Sequence, residues 1–168
     1  MKPADDVGEA ETTSTEGEVS GAAFDPRHLL VLSIVAGVGL NWLIPLAYLP
    51  ETWLRVGAGV LLVLGAFGVM TWATKTMQEQ GTAVPVDEPT TSIIDTGPFG
   101  LSRNPIYVGL LMLQLGVGIW ANSGWLFAIA LLSFIALNVG VIAKEEAYLE
   151  RLFGEPYVAY KSRVRRWL

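Results

Sequence analysis

Four apolar runs divide the chain, and short turns or polar segments separate them. The runs cover residues 29–49, 53–73, 106–121 and 125–143. A transmembrane helix needs roughly 20 apolar residues to cross the hydrocarbon of a bilayer, a length that the first two runs reach and the third approaches. We therefore predict an all-α integral membrane protein: a four-helix bundle with a cytoplasmic loop and an amphipathic C-terminal helix.

Turn signals join the runs in pairs. Pro50 and Thr52 separate the first two runs, and Thr52 is placed to cap the second helix, so these runs predict an antiparallel hairpin. The sequence Asn-Ser-Gly at 122–124 turns the chain between the last two runs. Pro105 suits the first position of the third helix.

The polar ends set the domain boundaries. Residues 1–21 are rich in acidic and small polar side chains with almost nothing to bury, which predicts a disordered tail and explains the net charge of -5. The tail is not a signal peptide, because its start is acidic and lacks an apolar stretch. The membrane domain is predicted to cover 22–168, with a cytoplasmic helical region at 144–168.

Composition excludes several kinds of site. The chain has no cysteine and a single histidine, His28. Disulfides, thiolate ligands and histidine-clustered metal sites are therefore excluded, and we expect no metal. We interpret His28 as an interfacial residue. The sequence has no basic patch with interleaved aromatic residues, which argues against a nucleic-acid partner.

The basic residues predict the orientation in the membrane. If the N-terminus, the loop 75–103 and the C-terminus lie on one side, the opposite side holds only Arg55 among the 11 lysines and arginines. Basic residues favour the cytoplasmic side. Both termini and the loop are therefore predicted to be cytoplasmic.

The loop 75–103 is too polar for lipid and too long for an idle connection, so we expect a functional role. At its end, Arg103 and Asn104 lie at the membrane boundary beside a helix start, where free backbone N–H groups favour a carboxylate. The alternative is an ordinary helix start whose arginine reaches the interface. Nearby glycines allow close approach of the backbone to a ligand.

The end of the fourth run carries a second polar cluster. On a helix, Glu145 shares an apolar face with Ile142 and Leu152, Glu146 lies at the edge of that face, and Tyr148 falls on the wet side. A carboxylate on an apolar stripe is costly unless it has a partner.

Two kinds of partner for Glu145 are open. One is an ion pair with Arg103 or Arg163 that fixes the tail, and the other is a cationic or hydroxyl-bearing ligand. Lone polar residues within the spans are expected to be interhelical hydrogen-bond partners rather than substrate ligands. These residues are Asn41, Gln114 and Asn138.

Together the two clusters resemble the membrane-embedded methyltransferases, which include isoprenylcysteine carboxyl methyltransferases and phospholipid N-methyltransferases. The shared pattern is a Gly-x-aromatic turn, Arg-(His or Asn)-Pro-x-Tyr-x-Gly, a helix, Glu-Glu-x-x-Leu, and Phe-Gly-x-x-Tyr-x-x-Tyr with a basic end. The matching residues are Gly97, Phe99, Arg103, Asn104, Pro105, Ile106, Tyr107, Gly109, Glu145, Glu146, Leu149, Phe153, Gly154, Tyr157, Tyr160 and Arg166.

The resemblance implies S-adenosyl-L-methionine as the methyl donor, bound between the cytoplasmic loop, the start of the third helix and the C-terminal helix. The implied cofactor-binding residues, with Arg103 added for its place at the helix start, are Thr91, Ser92, Ile93, Ile94, Phe99, Arg103, Asn104, Pro105, Ile106, Tyr107 and Glu145. A carboxylate suits the sulfonium and ammonium of this donor, and aromatic faces suit its adenine. Tyr107 and Glu146 are the candidate catalytic residues.

Two departures from the pattern bear on the methyl acceptor. Asn104 replaces the histidine usual in the carboxyl methyltransferases, and Val141 stands where those enzymes have the arginine that meets the substrate carboxylate. An amine head group on a lipid or lipid-like acceptor is therefore favoured. The alternatives are carboxyl methylation of an isoprenylcysteine-like substrate and a non-enzymatic scaffold that kept the fold. The sequence sets no oligomeric state.

Overall fold

The computed structural model describes residues 23–81 and 92–168, so the predicted acidic tail lies outside the described residues. All regular secondary structure in these two ranges is helical, as predicted. The elements are α1 (Pro26–Leu43), α2 (Trp53–Glu79), a 3₁₀ turn (Gly97–Gly100), α3 (Pro105–Trp120), α4 (Gly124–Ala136), a π-helical turn (Leu137–Ile142), α5 (Ala143–Phe153) and α6 (Glu155–Arg163).

Helix α1 begins earlier and ends earlier than the first apolar run. The Asp25 side chain caps its first turn, and the helix ends at Leu43 rather than at residue 49. Pro45 accounts for the early end, because a proline disfavours helical geometry at the residue before it. The Asn41 amide oxygen accepts from the backbone N–H of Leu46 at 3.4 Å. This bond is local, so the predicted interhelical role of Asn41 is wrong.

Helices α2 and α3 pack closely because glycines face the contact. A Cβ added at Gly59 would lie 2.7 Å from the backbone nitrogen of Trp120, and one at Gly109 would lie 2.4 Å from Cγ of Met70. Small residues at such positions let two helix backbones approach in a membrane. Thr52 caps α2, and Pro105 occupies the first turn of α3, both as predicted.

Helix α4, the π-helical turn and α5 form one continuous helical stretch, Gly124–Phe153. The predicted membrane span ends at residue 143, but the helix continues through it, because the 144–153 segment has strong helix formers and no proline. The break comes at Gly154, whose φ of 59 suits glycine. Helix α6 then folds back along α5.

The outer surface of the described bundle suits lipid. Leu32, Leu61 and Leu132 expose 67%, 70% and 64% of their surface. Three helical stretches are long and apolar enough to cross a membrane: Pro26–Leu43, Trp53–Glu79 and Gly124–Phe153. Helix α3 is about 24 Å long, against roughly 30 Å of hydrocarbon, so a fourth crossing stays a prediction.

The end of the bundle remote from the two polar clusters is closed by polar contacts. Asn122, in the predicted turn, accepts from the backbone N–H groups of Tyr48 at 3.2 Å and Leu49 at 3.0 Å. The Arg55 guanidinium donates to the carbonyls of Ile119 and Trp120 at the C-terminal end of α3. These bonds tie the α1–α2 connection to the α3–α4 turn.

At the opposite end, the start of α1, the 3₁₀ turn, the start of α3 and the C-terminal residues come together. The backbone N–H of Ala23 donates to the carbonyl of Gly140 at 3.0 Å, and Gly97 lies against Thr76 of α2. This is the grouping that the charge pattern predicts. That this end faces the cytoplasm stays a prediction.

Candidate functional site

The centre of this end is a hydrogen bond between two helices. Tyr107, in the first turn of α3, donates its hydroxyl to Oε1 of Glu145 on α5 at 2.6 Å. The Tyr107 ring is buried and packs with Leu110, Val141 and Ile142 in the core cluster, which fixes its position. The two halves of the sequence pattern, 38 residues apart, therefore meet at one point.

Glu146 lies beside that point and forms an ion-pair network. Arg103 donates to its Oε1 at 2.7 Å, and Arg166 donates to both carboxylate oxygens, at 3.0 Å and 2.5 Å. The side chains of Arg103 and Glu146 expose only 10% and 8% of their surface. The alternative in which Glu145 forms an ion pair with Arg103 or Arg163 is therefore wrong, because Glu146 pairs with Arg103 and Asp95 pairs with Arg163.

Arg103 also anchors the C-terminal residues. Its Nη1 donates to the carbonyls of Lys161 at 2.8 Å and Val164 at 3.1 Å, at the end of α6. Its backbone N–H donates to the carbonyl of Arg165 at 2.9 Å. Basic side chains at a helix C-terminus satisfy its free carbonyls and interact well with the helix dipole. Arg103 therefore joins the start of α3 to the C-terminal residues, a role that the alternative of an ordinary helix start does not include.

Asn104 binds the same C-terminal segment. Its amide nitrogen donates to the carbonyl of Arg166 at 2.9 Å, and its backbone N–H donates to the hydroxyl of Ser102 at 3.1 Å. The Asn104 side chain does not cap α3. The backbone N–H groups in the first turn of α3 are therefore not bound by that side chain and have no partner within the helix.

The 3₁₀ turn forms the next wall of the site. Gly97 has a φ of 57 and lies in close contact with Thr76, where a larger residue would be strained. The carbonyl of Phe99 accepts from the hydroxyl of Tyr160 at 2.8 Å. Burial raises the pKa of Tyr160 to about 12. Burial also raises the pKa of the neighbouring Tyr157, so both phenols act as neutral groups.

The other predicted cofactor residues differ in burial. Ile94, Asn104 and Pro105 are buried, whereas Ser92, Ile93, Phe99, Arg103 and Ile106 are partly buried. Thr91 lies outside the described residues. In the described part of the chain, no group of three or more histidine, cysteine or acidic residues could hold a metal ion.

The stripe predicted for α5 is only partly correct. Tyr148 was expected on the wet side, but only 5% of its surface is exposed, whereas Leu152 is 48% exposed. The pattern assumed one covered face. Because α6 packs against α5, and Arg103 and Arg166 approach Glu146, more than one face of α5 is covered.

The C-terminal residues contribute contacts that the sequence pattern does not reveal. The indole N–H of Trp167 donates to the amide oxygen of Asn138 at 3.1 Å, and its ring lies 4.9 Å from that of Phe134. Asn138 therefore binds the C-terminal segment rather than another transmembrane helix. The available sequence signal for these contacts was Trp167 following three arginines in the last six residues.

Comparison with known proteins identifies the family of this chain. The sequence profile described as phospholipid methyltransferase matches residues 54–156, more than half of the chain. An uncharacterized protein of Haemophilus influenzae is 36% identical over 63 residues, which are 38% of this chain and the whole of that protein. No solved structure matches. The chain therefore belongs to the phospholipid methyltransferase family and is a membrane methyltransferase.

Proposed function

We propose that this protein transfers a methyl group from S-adenosyl-L-methionine to the amine head group of a lipid or lipid-like acceptor at the membrane interface. The observation that carries the proposal is the hydrogen bond between Tyr107 and Glu145, at 2.6 Å. It brings a carboxylate to the first turn of α3, where free backbone N–H groups and the helix dipole favour an anion.

The donor presents opposite charges that suit this arrangement. Its carboxylate would bind the N–H groups of the first turn of α3, and its ammonium or sulfonium would face Glu145. Phe99 offers an aromatic face for the adenine, whereas the buried Tyr107 ring holds Glu145 in place through its hydroxyl. The S-adenosyl-L-methionine contacts assigned to these residues follow from that chemistry together with the family membership.

Glu146 has a positioning role in this proposal. Both of its carboxylate oxygens accept from arginine side chains, so the carboxylate is engaged and poorly placed to accept a proton. When bound, the donor would supply the methyl group: the amine would first lose a proton to solvent, its nitrogen–carbon bond would form as the sulfonium–methyl bond breaks, and S-adenosylhomocysteine would leave. Alignment of donor and acceptor can contribute several kcal/mol without an acid or base.

The environment of Val141 supports an amine acceptor. Val141 is fully buried within the apolar core cluster, at the position where carboxyl methyltransferases carry an arginine. Arg103 and Arg166 both donate to Glu146, so neither is a free counter-charge for a substrate carboxylate. A carboxyl acceptor would be less well stabilised here than an amine.

The binding step is tested by titrating S-adenosylhomocysteine into purified protein by calorimetry. Glu145→Gln should weaken binding by about tenfold or more, because hydrogen bonds to charged groups contribute roughly 1.5–3 kcal/mol. Glu150→Gln, on the exposed side of the same helix, is the matched control and should bind like the native chain. Unchanged affinity in Glu145→Gln and in Asn104→Ala would overturn the assigned site.

The reaction is tested with labelled donor in nanodiscs that contain an aminophospholipid. Label should appear in the lipid fraction as methylated amine. Label in an isoprenylcysteine substrate instead would favour carboxyl methylation, and no binding of S-adenosylhomocysteine at all would favour the scaffold.

A further inference from the structure

A small cleft lies between α1, α3 and α4, next to the proposed site. Apolar side chains form most of its wall, including Leu30, Leu110 and Leu137, and its cavity volume is about 10 Å³. Two polar side chains, Gln114 and Ser133, also line it. Leu110 and Leu137 belong to the core cluster around Tyr107, so the cleft and the proposed site share a wall.

The two polar side chains in the cleft lack partners. Gln114 exposes 1% of its surface and Ser133 exposes 4%. The amide nitrogen of Gln114 and the hydroxyl of Ser133 form no hydrogen bond with any described residue. Buried polar groups without partners are rare in folded proteins and call for an explanation such as a bound molecule. The predicted interhelical bond of Gln114 is therefore not formed through its nitrogen.

Other hydroxyls in the described helices behave differently. Ser33, Thr74 and Thr76 each donate to a carbonyl in the preceding turn of their own helix, at 2.7–2.9 Å. This is the usual way for a membrane helix to satisfy a hydroxyl. Ser133 does not use it, so its hydroxyl is left without a partner at the wall of the cleft, as is the amide nitrogen of Gln114.

The depth of the cleft relates it to the proposed reaction. Gln114 follows Tyr107 by seven residues, which is about 10 Å along α3 at 1.5 Å per residue. A group bound in the cleft would thus lie inside the membrane, below an amine that reaches Glu145.

We propose that Gln114 and Ser133 bind an ester carbonyl oxygen of the lipid acceptor while its amine occupies the methyl-transfer site. This proposal rests on the function proposed above. Two donors can share one carbonyl oxygen, which has two lone pairs. The cavity volume of about 10 Å³ is close to the roughly 10–15 Å³ that one water-sized group needs, so the cleft accommodates a single oxygen atom of a larger ligand.

The test compares an ester-linked aminophospholipid with its ether-linked analogue, which lacks the carbonyl oxygens. The native protein should methylate the ester-linked lipid about 10- to 100-fold faster in kcat/KM, because each of the two proposed hydrogen bonds to the carbonyl gives up to about tenfold. Gln114→Met combined with Ser133→Ala should lose this preference and use both lipids at the lower rate. Ser33→Ala, whose hydroxyl bonds within α1, is the control and should keep the preference.

Equal use of both lipids by the native protein would overturn the proposal, as would a preference that survives in the double variant. Both lipids would be methylated equally if a water molecule, rather than the ester carbonyl, bound Gln114 and Ser133. If no amine lipid is methylated, the proposed function fails. Native mass spectrometry then tests the cleft separately, because the native protein should retain more of the ester-linked lipid than of the ether-linked lipid. An unchanged or higher thermal midpoint confirms that Gln114→Met folds.

Discussion

Replacing Glu146 with glutamine should release the C-terminal segment from the bundle. The carboxylate pairs with Arg103 and Arg166, and breaking a buried ion pair costs about 3–5 kcal/mol because one charge is left buried and unpaired. Arg103 keeps its bonds to the carbonyls of Lys161 and Val164, so the lower end of this range applies. About 3 kcal/mol corresponds to a roughly 100-fold larger population of the open segment.

Limited trypsin digestion measures this population. Arg163 and Arg165 lie in the segment that would open, and cleavage follows the open population when opening and closing are fast. The rate of appearance of the shortened chain, followed by mass spectrometry in detergent, should rise about 100-fold in Glu146→Gln.

Glu150→Gln is the matched control, since Glu150 is one turn further along α5 and pairs with Lys161 of α6 at 2.8 Å. Its side chain is 45% exposed and that of Lys161 is 38% exposed. Exposed pairs contribute about 0–1 kcal/mol, so cleavage should rise no more than about fivefold. Similar cleavage rates in the two variants would refute the role given to the buried network.

Two further predictions concern helix packing and pH. Gly109→Ala should lower the free energy of unfolding by about 1–3 kcal/mol through overpacking against Met70. Gly68→Ala, with open space around it, is the control and should leave the free energy of unfolding unchanged or raise it by up to about 1 kcal/mol. Equal thermal midpoints of the two variants would contradict the close α2–α3 contact. Because burial raises the pKa of Tyr160 to about 12 from an ordinary value of about 10, the folded state holds this proton longer than the unfolded state. The stability is therefore full below about pH 10 and falls as the pH rises toward 12. The thermal midpoint of Tyr160→Phe should fall less steeply over that range, and identical slopes would count against the burial of the phenol.

The sequence predicted the local parts of the fold well. Apolar runs, the Thr52 cap, Pro105 at the start of α3 and the turn at Asn122 depend on neighbours in the chain, and the structure has each of them. The end of α1 differed from the prediction because apolar residues continue past Pro45, whereas the proline disfavours helical geometry at the residue before it.

The candidate site was harder to predict, since its contacts join distant parts of the chain. The spacing of Glu145 placed it on an inner face, but its observed partner, Tyr107, lies 38 residues away. Glu146 was placed only at the edge, because the two arginines that cover it come from outside its helix. The contacts of Trp167 likewise depend on how the C-terminal segment folds back.

The π-helical turn at Leu137–Ile142 sets the rotation of α5, which carries Glu145 and Glu146, about the helix axis relative to α4. In this geometry each carbonyl pairs with the N–H five residues ahead, so the turn holds one residue more than an α-helical turn. If the same residues took α geometry without a deletion, the one residue that the wider turn absorbs would rotate α5 by about 100° relative to α4. The helix could still cross the bilayer, yet Glu145 and Glu146 would point away from Tyr107 and Arg103. One extra residue in a long apolar helix thus determines which direction the two carboxylates face once the lipid-facing surface of α4 is set.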